Sequence, residues 1–326
     1  SRMLSMLYFC ILLPLTLFKL PRPDIVIGSS VHPFGSYVSY YLSRYFSIPF
    51  IFEVRDLWPE TLVQMKKIKK KSLIYHVLHW IEKYLYRNSS LIISVLPKGF
   101  EYINKYSNSV KVFHLPNGVD LGLYPPVEQK PSFLKNYSSN HLNCIFTGSL
   151  VQSNCLERIL ESFKILKDKG LSSKFTLEIY GDGPQRSFIS KYILDNKLSN
   201  VILNKPVPKD KLNSLYLSSD ICIICNPNLP ELYKYGLSPN KLFDYMASSR
   251  LVLISTPSKT PIINNFNGIV VSANSLDLSN GLQEALNLDR EKYIKMTTNA
   301  RQTIVNEFSF ENLASSLNLE MRSLLP

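Results

Sequence analysis

Short apolar runs alternate with segments of helical periodicity along almost the whole 326-residue chain. The apolar runs lie at residues 24–28, 50–54, 91–95, 111–115, 144–146, 175–180, 201–203, 221–225 and 251–255. Between them, segments such as 34–46 and 72–87 repeat apolar residues at helical spacing. This alternation predicts an α/β protein, because neighbouring parallel strands need crossover helices to join them.

The alternation is interrupted between residues 116 and 140, a proline-containing stretch that begins with P-N-G. We therefore expect a first Rossmann-like domain over 1–122 and a second over 123–308, each with a doubly wound sheet. A ligand of two such domains is expected in a cleft between them.

The chain is basic, since 37 Lys and Arg face 25 Asp and Glu, for a formal net charge of +12. Such a surface attracts nucleic acid, acidic lipids or phosphorylated metabolites, and charge alone does not choose among them. Nucleic acid has no support from a helix-turn-helix, RNP or zinc-finger pattern. Cys222 and Cys225 lie in a strand-like run without a second Cys or His pair. We therefore expect no metal site and reduced thiols in a cytoplasmic protein.

Two segments point to a membrane surface. The nearly uncharged run 4–20, broken by Pro14, is marginal in length for a span, and is predicted to be a core helix or a helix in the membrane interface. Residues 65–71 hold five lysines, which are either a solvated loop or a contact with anionic lipid. We expect a peripheral protein on the inner face of the plasma membrane. The lysines are Lys66, Lys67, Lys69, Lys70 and Lys71.

Ligands of doubly wound sheets bind beyond the carboxyl ends of the strands, so residues at those ends are candidates. Ser29, Ser30 and His32 follow one strand of the first domain, and Arg55 and Asp56 follow another. His32 is a candidate for orienting or deprotonating an acceptor hydroxyl, or is a loop histidine with a local hydrogen bond. Arg55 is a candidate for binding an acceptor pyrophosphate, or for pairing with Asp56.

In the second domain, the segment G-L-S-P-N-K-L-F-D-Y-M-A at 236–247 suits a diphosphate. Ser238 is expected to cap a helix whose first residue is Pro239, and the amides of its first turn attract anions. Lys241 adds a cation, and Asp244 can accept hydrogen bonds from ribose hydroxyls. The alternative is an ordinary capped helix with a solvated lysine and aspartate. Further candidates at strand ends are Gly148, Ser149, Gly181, Gly183, Lys205 and Pro206.

Three segments resemble glycosyltransferase family 4, in the branch that includes L-fucosamine and colanic-acid transferases. They are E-V-R-D-L-W-P-E at 53–60, N-G-V-D at 117–120 and S-P-N-K-L-F-D-Y-M-A at 238–247. The similarity covers nearly the whole chain in the right order. It implies a GT-B fold of two Rossmann-like domains, with a final helix at 309–326 that packs back on the first.

The resemblance also implies a reaction and its site. Backbone around Ser238, Pro239 and Asn240 would meet the diphosphate or sugar, Asp244 would bind the ribose, and Lys205 with Pro206 would lie beside the base. The reaction would be a retaining transfer, without an essential metal or cofactor, from a nucleotide sugar that is usually uridine-linked. The acceptor would be a lipid-linked (polyprenyl diphosphate) saccharide of capsule, O-antigen or exopolysaccharide. The same segments disfavour a nucleotide-sugar epimerase.

The sequence departs from the family pattern at three places. Gly236 occupies the position of the first Glu in the family's E-x7-E pattern. Ser149 and Asn154 stand near the places of the usual phosphate-binding residues, so phosphate neutralisation falls on Lys241 and helix amides. The family's initial strand and glycine-rich loop are not found, so we expect an incomplete first domain. The alternative function is therefore a non-catalytic remnant that binds nucleotide or membrane.

Overall fold

The computed structural model describes residues 2–17, 21–126 and 141–325, which divide into two compact units. Unit 1 comprises Ser1–Pro116, Leu229–Ser238 and Leu313–Pro326, and unit 2 comprises Asn117–Asn228 and Pro239–Asn312. The chain therefore first passes from unit 1 to unit 2 after Pro116, a few residues earlier than the expected boundary at 122/123. In addition, ten residues that the sequence placed in the second domain belong to unit 1.

Unit 1 contains a parallel four-stranded sheet in the order β1-β2-β3-β4, which confirms the parallel α/β prediction. Its strands are β1 (Val26–Ser29), β2 (Phe50–Val54), β3 (Leu91–Ser94) and β4 (Val112–His114). Its helices are Arg2–Leu17, Pro33–Phe46, Glu60–Gln64, Leu73–Asn88, Gly99–Ile103 and Pro230–Tyr233, and most of Phe310–Arg322 also belongs to it. The final helix packs Leu317 and Met321 against Ile51 and Leu91 of the sheet.

The segment Leu229–Ser238 is held in unit 1 by its aromatic residues. The buried ring of Tyr235 meets Tyr102 edge-on at a centroid distance of 5.5 Å. Its hydroxyl accepts a hydrogen bond of 2.7 Å from Lys105 Nζ, and its carbonyl accepts one of 2.9 Å from the amide of Lys98. Periodicity could not place this segment, because these contacts depend on residues more than 100 positions away.

Gly236 has a structural reason to lack a side chain. Its φ is +97°, and an ideal Cβ built there would lie 2.3 Å from Cγ of Pro97. A glutamate at this position would collide with the Pro97 ring and would strain the backbone. The missing Glu of the E-x7-E pattern is thus explained by close packing within unit 1.

The apolar N-terminal run forms the helix Arg2–Leu17, while residues 18–20 lie outside the described residues. Pro14 sits inside the helix and does not end it. The core-helix interpretation also needs correction, because Tyr8, Ile11 and Leu15 are exposed. No described helix combines the length and apolar character needed to cross a bilayer.

Unit 2 contains a parallel six-stranded sheet in the order β10-β9-β8-β5-β6-β7. Its strands are β5 (Leu142–Thr147), β6 (Phe175–Tyr180), β7 (Val201–Asn204), β8 (Ile221–Cys225), β9 (Leu251–Ser255) and β10 (Ile269–Val271). Its α-helices are Leu156–Asp168, Arg186–Asp195, Leu212–Leu217, Asn240–Ala247, Ser275–Leu286 and Arg290–Thr303. Shorter turns of helix are Leu121–Leu123, Gln152–Asn154, Ser172–Lys174, Lys209–Lys211 and Ile304–Phe308. The strand order reverses direction at β5, and a ligand site is expected beyond the carboxyl ends of strands at such a point.

Both cysteines of the C-x-x-C pattern are buried in β8, which confirms the strand interpretation. Cys222 packs in one core cluster of unit 2 and Cys225 in the other. Side chains three positions apart in a strand point to opposite faces, so these two thiols cannot bind one metal ion. No cluster of His, Cys, Asp or Glu suited to a metal was found among the described residues.

Candidate functional site

A cavity of about 580 Å³ opens at the carboxyl edge of the unit 2 sheet, where β5 and β6 end. It is lined by Thr147, Gly148, Ser149, Asn154, Tyr180, Gly181, Asp182, Pro206, Val207, Leu212, Tyr216, Asn240, Lys241 and Asp244. Four of the six second-domain candidates at strand ends, Gly148, Ser149, Gly181 and Pro206, therefore lie around one cavity.

Two glycine-containing loops form one wall of the cavity. The amide of Gly148 donates to the carbonyl of Tyr180 at 3.0 Å, and the amide of Leu150 donates to the carbonyl of Asp182 at 2.9 Å. A Cβ at Gly181 would lie 1.9 Å from the carbonyl oxygen of Gly148, so the loops approach as closely as backbone allows. The wall is therefore closely packed and brings the backbone of both loops to the cavity.

Lys241 supplies the cation of the site. Its Nζ donates a hydrogen bond of 2.9 Å to Oδ1 of Asn154 and lies 4.2 Å from the ring centroid of Phe146. No described carboxylate pairs with this ammonium group. Burial lowers the pKa of Lys241 to about 8, because the charged form has lost hydration without gaining a counter-ion. An anion bound here would replace the missing counter-charge.

The helix Asn240–Ala247 begins with Asn240 and Lys241 on the cavity wall. The amides of these two residues have no hydrogen-bond acceptor among the described residues. Such amides and the positive end of the helix favour an anion. The Lys241 ammonium and the first amides of the helix can therefore both attract an anion into the same cavity.

The predicted cap of this helix needs correction. The N-cap residue is Pro239 and not Ser238, and it has no side-chain hydrogen-bond acceptor. Pro239 has φ −75° and ψ 130°, an extended conformation that lies outside the helix. Neither Ser238 nor Pro239 lines the cavity; Asn240 is the first residue of this segment that does.

Asp244 lies one turn into the same helix and lines the cavity. Burial raises the pKa of its carboxyl, and the nearby Tyr124 hydroxyl and Lys209 ammonium act in the opposite direction. A carboxylate with hydration removed gains from hydrogen-bond donors on a ligand, such as sugar hydroxyls.

Two further predicted donor residues, Lys205 and Gly183, do not line the cavity either. Lys205 is exposed and lies outside it, whereas Pro206 and Val207 form part of the wall. Gly183 packs against the backbone of Leu150, whose carbonyl oxygen would lie 2.6 Å from a Cβ at this glycine. Gly183 thus shapes the loop from behind.

Sequence reasoning missed several wall residues. Thr147 and Tyr180 end β5 and β6, so the strand-end rule could have identified them. Leu212 and Tyr216 come from a short helix, Leu212–Leu217, and no sequence signal marks them. The Tyr216 hydroxyl is 2.9 Å from Oγ1 of Thr147, which fixes the tyrosine beneath the cavity.

In unit 1, Ser30 organises the loop that carries Arg55 and Asp56. Its Oγ accepts hydrogen bonds from the amides of Arg55 at 2.8 Å and of Asp56 at 3.3 Å. Both loop residues are exposed. Other atoms nevertheless crowd the Asp56 carboxyl, and this desolvation raises its pKa, with the Arg55 charge opposing it. Arg55 is therefore displayed to solvent on a fixed backbone.

His32 makes a local hydrogen bond at the start of a helix, which is the alternative to a catalytic role. Its Nδ1 accepts a hydrogen bond of 2.7 Å from the amide of Gly35 and so caps the helix Pro33–Phe46. Its Nε2 is buried without a partner among the described residues, and the Phe9 ring lies 5.4 Å away. In this arrangement neither ring nitrogen reaches a ligand, because one is engaged and the other is covered.

A second cavity of about 770 Å³ also lies at the carboxyl edge of the unit 2 sheet, beyond β9 and β10. Several of its polar side chains close local turns: Thr256 accepts from the amide of Ser258, Thr260 from Ile262 and Asn264 from Val270. It is larger than the first cavity, but its polar groups are largely committed to the loops that form it.

The profile of the family described as "Glycosyl transferases group 1" matches residues 133–303, just over half of the chain. A curated relative, the probable glycosyltransferase WbjE of Pseudomonas aeruginosa, is 20% identical over 269 residues. That alignment covers 78% of this chain and 62% of WbjE, so the chain spans less than two thirds of its relative.

Solved structures show the same fold. Sucrose-phosphate synthase from Thermosynechococcus elongatus superposes with a TM-score of 0.73 at 17% identity, over 92% of this chain and 73% of that one. HepE from Anabaena, in complex with UDP-glucose, gives 0.71 at 15% identity, over 92% and 79%. A trehalose-phosphate synthase from Burkholderia vietnamiensis gives 0.75 at 12% identity, over 98% and 76%. The GT-B fold is thereby confirmed, and with the profile match over most of unit 2, the chain belongs to the group 1 glycosyltransferase family.

Proposed function

We propose that this protein transfers a sugar from a uridine diphosphate sugar to a lipid-linked saccharide, with retention of the anomeric configuration. The observation that carries the proposal is the unpaired, desolvated ammonium of Lys241 beside the free amides that begin the helix Asn240–Ala247. A diphosphate fits this arrangement, because it needs a cation and several N–H donors at one place.

The rest of the cavity suits the nucleoside. Asp244 offers a carboxylate to ribose hydroxyls, and Pro206, Val207 and Leu212 give an apolar wall against which a base can lie. HepE, which shares the fold, was solved with UDP-glucose. That supports uridine as the base, while the resemblance to L-fucosamine transferases supports an N-acetylamino sugar.

Unit 1 is proposed to hold the acceptor. Arg55 is an exposed guanidinium on a backbone fixed by Ser30, and its planar fork can bind phosphate oxygens in pairs. Five exposed lysines at 66–71 attract the anionic surface in which a lipid-linked acceptor resides. We therefore propose polysaccharide assembly (capsule, O-antigen or exopolysaccharide) on the cytoplasmic face of the plasma membrane.

In the proposed reaction, the bond from the anomeric carbon to the diphosphate breaks while a bond to the acceptor oxygen forms on the same face. The acceptor proton passes to an oxygen of the departing diphosphate. The protein's contribution is to hold both substrates together and to stabilise the negative charge of the leaving group. Lys241 and the helix amides perform the second task, and the reaction as proposed requires no metal.

The test is a transfer assay with the full chain, a series of UDP-sugars and vesicles that contain polyprenyl diphosphate saccharides. We expect UDP release that depends on the acceptor, and a product whose NMR coupling constants show the donor's anomeric configuration. An inverted product would contradict the retaining mechanism. Binding of a UDP-sugar without its conversion to free UDP would identify the chain as a non-catalytic nucleotide-binding protein.

A further inference from the structure

Two neighbouring helices of unit 1, Pro33–Phe46 and Leu73–Asn88, present an aromatic surface. Tyr37 and Tyr41 from the first meet Trp80 and Tyr84 from the second. The centroid distance is 5.5 Å for Tyr37 and Trp80, 5.5 Å for Trp80 and Tyr84, and 6.4 Å for the stacked rings of Tyr41 and Tyr84. We call these four residues the aromatic ridge.

The ridge faces solvent. Trp80 exposes 54% of its surface and Tyr41 exposes 48%. Leu73, which is 80% exposed, and Val77 lie on the same stripe of the helix as Trp80 and Tyr84, because these positions are separated by three or four residues. An exposed apolar stripe of this size marks an interaction surface.

The surface around the ridge carries positive charge. The helix Pro33–Phe46 contains no acidic residue and exposes Arg44. In the helix Leu73–Asn88 the single acidic residue, Glu82, is 5% exposed and accepts hydrogen bonds from Tyr86 and Tyr102.

Lysines also lie at the start of the second helix. The exposed Lys66–Lys71 loop directly precedes Ser72, the N-cap of Leu73–Asn88. Within this loop Lys70 pairs with Glu60 at 3.4 Å, and no ion pair is formed by the other four among the described residues. The aromatic ridge thus has basic residues beside it, and neither helix exposes an acidic residue.

We infer that the aromatic ridge docks on an anionic phospholipid bilayer, with Trp80 and Tyr41 in the boundary between headgroups and acyl chains and the lysine loop on the headgroups. Tyr and Trp favour that boundary because they have an apolar body and a polar tip. Anionic headgroups supply the charge that the surface lacks. A second copy of this chain is a poorer occupant, since it would bring two basic surfaces together. The inference rests on the proposed function and names the surface that would meet the acceptor's membrane.

The test uses the two tryptophans of the chain. Trp58→Phe leaves Trp80 as the sole tryptophan, and Trp80→Phe leaves Trp58; excitation at the long-wavelength edge of tryptophan absorption avoids the tyrosines. With vesicles of phosphatidylcholine and phosphatidylglycerol, the Trp58→Phe protein should show a blue shift and quenching by brominated acyl chains. The Trp80→Phe protein should show neither. Vesicle binding without any change at Trp80 would overturn the ridge as the docking surface.

Vesicle flotation gives a second measurement. Trp80→Ser with Tyr41→Ser should reduce binding to anionic vesicles at least tenfold. The matched control, Phe188→Ser with Leu194→Ser on an exposed helix of unit 2, should not. A concentration-dependent blue shift without vesicles, accompanied by a doubled mass, would assign the ridge to self-association. UDP-glucose binding measured in parallel separates the two proposals, because it tests the donor site and does not require vesicles.

Discussion

The two units end their parallel sheets in different ways. In unit 2, the loops beyond the strands are joined by backbone hydrogen bonds and close glycine contacts, and they lie beside the half-buried ammonium group of Lys241. In unit 1, the loop beyond β2 is fixed by Ser30 but displays Arg55 and Asp56 to solvent, while the histidine beyond β1 caps a helix.

Unit 2 thus has a preformed cavity for a ligand, whereas unit 1 exposes charged side chains on a loop. Lys241 is partly desolvated before any ligand arrives, so a diphosphate gains a charge-assisted contact there. Arg55 keeps its hydration, so its contact with a ligand gives less free energy. We expect substitutions in unit 2 to alter donor affinity and those in unit 1 to alter use of the acceptor.

The largest effect is expected from Lys241→Ala. Loss of a buried charged hydrogen-bond donor should cost about 1.5–3 kcal/mol of UDP-glucose binding, or roughly 10- to 150-fold in Kd. Calorimetric titration measures this change. The matched control is Lys205→Ala, which removes an exposed lysine outside the cavity and should leave Kd within about twofold. Equal losses for the two variants would mean that general charge, and not the cavity, binds the donor.

Gly181→Ala tests the rigidity of the donor loops. Its Cβ would meet the carbonyl oxygen of Gly148 at 1.9 Å, so the loops must separate, at a cost of about 1–3 kcal/mol in the free energy of unfolding. Urea denaturation measures the loss, and UDP-glucose affinity should fall with it. Gly170→Ala is the control: its φ is +75° but no atom lies within 4 Å of the added Cβ, so about 1 kcal/mol is expected. If both variants lose equal stability, the loop contact is not the cause.

Donor affinity should depend on pH through Lys241. Its pKa of about 8 in the free protein should rise when a diphosphate binds. Affinity is then fully present below pH 8 and falls as pH rises through that value, by at most about tenfold for each further unit. UDP-glucose is a suitable ligand, because its diphosphate is esterified on both sides and does not titrate in this range. Lys241→Arg stays charged and should bind with an affinity that is constant between pH 7 and 9; a parallel decline in both proteins would exclude Lys241 as the titrating group.

The smallest effect concerns unit 1. Ser30→Ala removes the acceptor of the Arg55 and Asp56 amides and should lower the free energy of unfolding by about 1 kcal/mol. It should also lower kcat/KM for the acceptor while the Kd of UDP-glucose stays unchanged. Ser29→Ala is the neighbouring control, because the Ser29 Oγ is buried without a hydrogen-bond partner among the described residues; no loss of stability is expected there. A change in donor affinity in Ser30→Ala would contradict the assignment of donor binding to unit 2 and acceptor binding to unit 1.

Much of the fold follows from local patterns in the sequence. Strands β2, β6, β8 and β9 have the bounds that the apolar runs predict. Every residue of β8 and β9 is buried, and β6 alternates between buried and half-buried residues, so each run has a recognisable strand pattern. The sequence also identified Lys241, Asp244 and the loops at Gly148 and Gly181, because the strand-end rule and the helix-start pattern depend on residues close together in the chain.

Tertiary structure decided what those patterns could not. His32 became a helix cap because Gly35 and Phe9 meet its ring, and Lys205 fell outside the cavity because the loop after β7 turns its next two residues inward. The aromatic ridge forms because the helices Pro33–Phe46 and Leu73–Asn88 pack together, although the second begins 27 positions after the first ends. The sequence by itself determined the order of strands and helices, the family resemblance and the candidate cation of the proposed donor site, since these are properties of contiguous residues. Only the tertiary structure decided which side chains are already engaged, which glycine positions exclude a side chain and which apolar groups stay exposed, since those depend on neighbours brought together by packing.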